Sequence, residues 1–75
     1  MAIVRNLEPI SLEKDTNHTE ANATFTVVAN AHEKFLQIDT YGSPNRQIQG
    51  KKSQSIRFSS TAISQLKEII AINFD

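Results

Sequence analysis

Gln54-Ser55-Ile56-Arg57-Phe58-Ser59-Ser60-Thr61-Ala62-Ile63-Ser64-Gln65-Leu66-Lys67-Glu68-Ile69-Ile70-Ala71-Ile72, residues 54–72, changes its apolar period halfway along. Ile56 and Phe58 alternate with Ser55 and Arg57. That is the two-residue repeat of a strand with one face turned inward. Beyond the serine pair, Ala62, Ile63, Leu66, Ile69 and Ile70 recur at helical spacing and make one apolar face. Ser59 or Ser60 offers a hydroxyl to cap the first turn. The segment predicts a strand that runs directly into a terminal helix, Thr61 to Ile72.

Working outward toward the N-terminus, Phe35-Leu36-Gln37-Ile38-Asp39-Thr40-Tyr41 alternates well. Leu36 and Ile38 share one face; Phe35, Gln37, Asp39 and Tyr41 share the other. Thr24-Phe25-Thr26-Val27-Val28-Ala29-Asn30 is dense in β-branched and aromatic residues and predicts a strand. Ala31 to Lys34 reads as the hairpin connection between these two. Gly42-Ser43-Pro44-Asn45 is a turn signal, and residues 46–53 form a basic excursion. Ile10 and Leu12 alternate with Ser11 and Glu13 after Pro9, which predicts a short first strand. Residues 14–23 are polar and read as a loop, and residues 1–7 are mildly apolar without a clear period. The expected architecture is α+β: one domain over residues 1–75, a four-stranded antiparallel meander followed by one helix (β4-α). Short connections favour antiparallel neighbours. One sheet face takes the helix and the other is left for solvent or a ligand.

A chain of 75 residues buries only about 60% of its unfolded surface, so its own core is marginal. Cysteine is absent, which excludes disulfides, and two histidines make a structural zinc site improbable. Self-association is the remaining common support. Ala71, Ile72 and Phe74 extend apolar character around the helix. The expectation is therefore a homodimer through Ile63, Leu66, Ile69, Ile70 and Ile72. The alternative is a helix end tucked under Ile3, Val4 and Leu7.

Net charge is zero, but residues 1–40 carry three basic and six acidic side chains, while residues 41–75 carry five basic and two acidic. Such asymmetry points to a charged partner or to self-complementary packing. From Lys34 to Arg57 the basic residues are Lys34, Arg46, Lys51, Lys52 and Arg57, with Asp39 the only acid among them. Single-strand binding needs cations along the phosphates and planar groups against the bases. Phe35 and Tyr41, outward by alternation, are the candidate stacking aromatics. The candidate nucleic-acid-binding set is thus Lys34, Phe35, Tyr41, Arg46, Lys51, Lys52 and Arg57. Five of them have a plainer reading: Lys51 and Lys52 as a solvated loop, Phe35 and Tyr41 as core, Arg57 as a partner of Asp39 or Glu68.

Catalysis finds little support. His18 and His32 fall in loops, and no HExxH, P-loop or GxGxxG is present. No catalytic residue, metal ligand or cofactor is nominated. No apolar run approaches 18 residues, so no membrane span is expected. The first residues lack a basic region followed by an apolar stretch, so no signal peptide is expected and the location reads as cytoplasmic. The two Asn-x-Thr triplets, at Asn17 and Asn22, then read as features of a turn-rich loop.

From Ala23 to Ile70 the order of features resembles the positive-cofactor-four (p15) transcriptional coactivators and their bacterial and phage relatives. The matching positions are Thr24 to Asn30, Lys34, Ile38-Asp39, Gly50-Lys51-Lys52, Ser55-Ile56-Arg57-Phe58 and Ser64-Gln65-Leu66-Lys67-Glu68-Ile69-Ile70. The chain has no tryptophan where that family often carries two; Ser43-Pro44 and Ile63 stand near those places. The resemblance implies a β4-α unit that dimerises through its helices. It also implies sequence-tolerant binding of single strands along ridges of the paired sheets; transcription, replication and recombination are the processes such binding serves, and the sequence does not choose among them. The competing expectation is a small protein-interaction module, such as a phage-type inhibitor. Zero net charge favours it, and so do the acids Glu8, Glu13, Asp15 and Glu20.

Overall fold

The computed structural model describes residues 1–42 and 52–74. Four strands, β1 (Ala2–Val4), β2 (Ala23–Ala29), β3 (Lys34–Tyr41) and β4 (Lys52–Phe58), are followed by one helix, α1 (Ser60–Asn73). The strands form one sheet in the order β1-β4-β3-β2.

The β2–β3 hairpin is closed by Asn30. Its Oδ1 accepts hydrogen bonds from the backbone N–H groups of His32 (2.9 Å) and Glu33 (2.8 Å), and its own N–H donates to the Glu33 carbonyl at 2.9 Å. A short amide side chain that mimics a backbone turn is the reason asparagine favours such positions. The antiparallel register then runs unbroken from Ala29↔Lys34 to Ala23↔Thr40. β3 pairs antiparallel with β4, Leu36 opposite Phe58 and Ile38 opposite Ile56, with an irregularity at Thr40/Tyr41 that sets Tyr41 opposite Lys52.

The sheet is mixed, not the antiparallel meander expected. β1 pairs parallel to β4, with Ala2, Ile3 and Val4 opposite Ile56, Arg57 and Phe58. The first strand is also not at Ile10–Leu12, which lie outside any strand and are exposed. Two alternating apolar residues in a polar context do not hold a strand. The β-branched Ile3 and Val4 beside β4 do, because a backbone strap fixes them there. The Ser59 N–H donates to the Val4 carbonyl (3.0 Å), and the Ser59 hydroxyl donates to the Arg5 carbonyl (3.4 Å). Two residues on, the Leu7 N–H donates to Gln65 Oε1 at 2.8 Å, and Gln65 Nε2 returns bonds to the Leu7 carbonyl and to Asn6 Oδ1. Because β1 and β4 run the same way, both chains leave the sheet at one end. Residues 5–7 are thereby brought beside the first turns of the helix.

Ser59 caps that helix, its Oγ accepting from the Ala62 N–H at 3.2 Å. The cap satisfies one of the donors a helix start leaves open and stabilises it by about 1 kcal/mol. The Ser60 hydroxyl donates to the Lys34 carbonyl, tying the helix start to β3. α1 packs against β3 and β4.

What these elements bury is little. Among the described residues only Phe35 and Ala62 are buried apolar side chains, with Asp39 and Ser59 the buried polar ones. Phe25, Val27, Ile69, Ile70, Ile72 and Phe74 are all exposed. The alternative position for the helix end, under Ile3, Val4 and Leu7, is taken up only in part: Leu7, Glu8 and Pro9 line a cleft with Leu66, Ile69 and Ile72, while Ile69, Ile70 and Ile72 remain exposed.

Candidate nucleic-acid interface

The strand registers sort side chains onto two faces. Phe25, Val27, Leu36, Ile38, Ile56 and Phe58 share one; Thr24, Thr26, Val28, Phe35, Gln37, Asp39, Ser55 and Arg57 share the other. The second face carries a connected polar array across β3 and β4. Arg57 Nε donates to Gln37 Oε1 at 2.7 Å. Gln37 Nε2 donates to both oxygens of Asp39, at 3.1 and 3.0 Å. Lys52 Nζ stands 3.3 Å from Asp39 Oδ2.

The direction of donation fixes the array. A carboxylate only accepts, so it turns the Gln37 amide to present its N–H groups to Asp39 and its oxygen to Arg57. Asp39 is 3% exposed. Hydrogen bonds from Ser55, then Gln37, and the nearby Lys52 hold its carboxyl below the usual carboxylate range, against the opposing effect of burial. The competing expectation for Arg57, a partner in Asp39 or Glu68, is not met. Arg57 takes a neutral acceptor, and no described carboxylate neutralises it.

A cleft of about 500 Å³ opens over this array, lined by Met1, Ala2, Ile3, Gln37, Lys52, Ser55 and Arg57. No helix residue lines it. One wall is aliphatic, from β1, and the other carries two cations and neutral hydrogen-bonding groups. Such a surface suits a ligand with a negative backbone and flat, partly apolar faces.

The nominated residues divide. Lys52 and Arg57 come together at this cleft. Phe35 lies on the same face, yet its ring is 4% exposed, so it is not an open stacking surface. The guanidinium carbons of Arg5 and Arg57 each lie 5.9 Å from its ring centre and cover it. A cation held over an aromatic face is favourable in itself. Tyr41 is half-buried, shares a 3.0 Å hydrogen bond with Thr24, and lines a different recess of about 710 Å³ beside Thr16–Ala21. Lys34 is exposed but falls on the opposite face by alternation with Phe35. Arg46 and Lys51 lie outside the described residues. Of the dimer candidates, Ile63 and Leu66 are half-buried and Ile69, Ile70 and Ile72 are exposed.

Sequence reasoning missed Arg5 altogether. Its only signal is a single Ile3/Arg5 alternation that runs past the end of a three-residue strand. Alternation places Gln37 on this face, but nothing in the sequence marks it as the link between Arg57 and Asp39.

No family model, curated protein or solved structure matches this chain.

Proposed function

We propose that the protein is a sequence-tolerant binder of single-stranded nucleic acid that works as a homodimer and not as an enzyme. The observation that carries the reading is Arg57: a half-buried guanidinium, aimed by Gln37, at a cleft it shares with Lys52 and with no described carboxylate partner. An arginine in that setting has donors left for phosphate, and arginine matches phosphate geometry better than lysine. The resemblance to the positive-cofactor-four coactivators points the same way. What supports the dimer is the run of exposed Ile69, Ile70 and Ile72 on the helix with Phe74 at its C-cap, together with exposed Phe25 and Val27 on the edge strand. Clusters of exposed apolar side chains mark interaction surfaces.

The test is fluorescence anisotropy of a labelled oligothymidine at low and at moderate salt, with light scattering for mass. Binding that weakens with salt and is abolished by Lys52→Glu with Arg57→Glu, in a variant that keeps the wild-type circular dichroism, supports the reading. Equal binding by the double variant refutes the site. A second reading is favoured by the same exposed apolar residues: a protein-interaction module without nucleic-acid binding. No oligonucleotide binding at low salt, with a stable complex recovered from a pull-down, selects it.

A further inference from the structure

Arg5 lies outside every feature that suggested nucleic-acid binding, yet the fold brings it to the same face. It follows β1, its backbone carbonyl accepts from the Ser59 hydroxyl, and its guanidinium covers Phe35 beside that of Arg57. The side chain is 59% exposed. Glu33, in the β2–β3 turn, reaches over to it: Nη1 to Oε2 at 2.8 Å and Nη2 to Oε1 at 3.4 Å, the two-pronged geometry a guanidinium makes with a carboxylate or a phosphate. Each partner shifts the other in the expected sense. The hydrogen bond and charge of Glu33 raise Arg5, and the hydrogen bond from Arg5 lowers Glu33.

We infer that Arg5 is a nucleic-acid contact and that Glu33 occupies it as an internal stand-in for phosphate, so that a single strand binds by exchanging Glu33 for one of its phosphates. This rests on the function proposed above and adds a residue and a mode of regulation to it. Three observations converge. Phe35 is covered, so the planar groups that this face offers to bases are the guanidinium ions of Arg5 and Arg57, each 5.9 Å from its ring centre, and arginine planes stack on bases as aromatics do. Both ions share one buried ring, so a strand that meets Arg57 at the cleft meets Arg5 next to it. The Arg5–Glu33 pair is solvent-exposed on both sides, and exposed pairs are weak enough to be exchanged. The neutral net charge of the chain also fits a site whose cations are partly matched by the protein's own acids.

The decisive comparison is Glu33→Gln in the wild-type and in the Arg5→Gln background: losing a carboxylate favours any polyanion, but exchange predicts a gain that largely disappears once Arg5 is gone, and an equal gain in both backgrounds refutes it. In oligothymidine anisotropy titrations, Glu33→Gln should bind about two- to fivefold more tightly than wild type, the worth of an exposed ion pair. Arg5→Gln should bind more weakly, with the slope of log affinity against log salt shallower by about 1, the signature of one lost phosphate contact. Arg5→Lys should fall between, since it keeps charge and loses the plane. If wild type binds and Glu33→Gln binds equally or more weakly, the exchange is refuted and the function stands. An unchanged salt slope in Arg5→Gln refutes the contact in the same way. If wild type does not bind at low salt, the function and this inference fall together.

Discussion

Replacing Ile72 by glutamine tests the homodimer with the least disturbance to a single chain. The residue is 73% exposed, so a lone protomer loses little by the change. Glutamine is also a good helix former. In a dimer that buries the helix end, the cost is different. Full burial of an isoleucine side chain contributes about 1.5–3 kcal/mol. Roughly three quarters of that remains to be gained, hence about 1–2 kcal/mol per copy. A twofold interface uses the residue twice. The total, about 2–4 kcal/mol, corresponds to a dissociation constant raised on the order of 100-fold. Sedimentation equilibrium from low micromolar to near-millimolar protein resolves such a shift. Wild type should be dimeric across the range and Ile72→Gln should dissociate within it, with the melting temperature of both rising with concentration. A variant that stays dimeric at every concentration removes Ile72 from the interface. A wild type that is monomeric throughout sinks the reasoning altogether.

Other outcomes follow from single contacts. Arg57→Gln should weaken oligothymidine binding and flatten its salt dependence by about one counterion, read by anisotropy at several ionic strengths. Ser59→Ala removes the helix cap and should cost about 1 kcal/mol, a fall in melting temperature of roughly 4–8 °C in a chain this size. Asp39 titrates below its ordinary value in the fold, so the stability it contributes is complete above about pH 4 and is lost as the pH falls through the lowered value. Melting curves from about pH 5 to pH 2 should show that loss, and Asp39→Asn should flatten the profile. Gln65→Ala should release the strap, seen as faster hydrogen exchange at the Leu7 amide while the β2–β3 hairpin amides keep their protection.

What could be read from the sequence was what is decided locally. The change of period at Ser59 is local, because the cap and the first apolar turn lie within four residues of each other. The hairpin is local too, since Asn30 builds its own turn. The two faces of β3 followed from alternation, and with them the pairing of Gln37, Asp39 and Arg57 on one side. β1 was not legible, because a three-residue strand has no period and its partner lies at the far end of the chain. That failure carried the other. Without β1 there is no Arg5 above Phe35, and an aromatic that alternates outward looks exposed when two arginines in fact cover it. Ile10 and Leu12 misled because alternation over two positions is too short to tell a strand from chance.

The parallel clasp of β1 on β4 also sets an order of assembly. The β2–β3 hairpin closes a four-residue connection and should form within microseconds. Ala2 meets Ile56 only after most of the chain has been gathered, and closing so long a loop costs more entropy than closing the hairpin. β1 should therefore dock late, with substitutions at Ile3 speeding unfolding far more than they slow folding. Arg5 arrives with it. The face proposed to hold nucleic acid is then finished last, so a partly folded or newly made chain presents Phe35 with Arg57 alone over it, a stickier and less selective surface than the completed one.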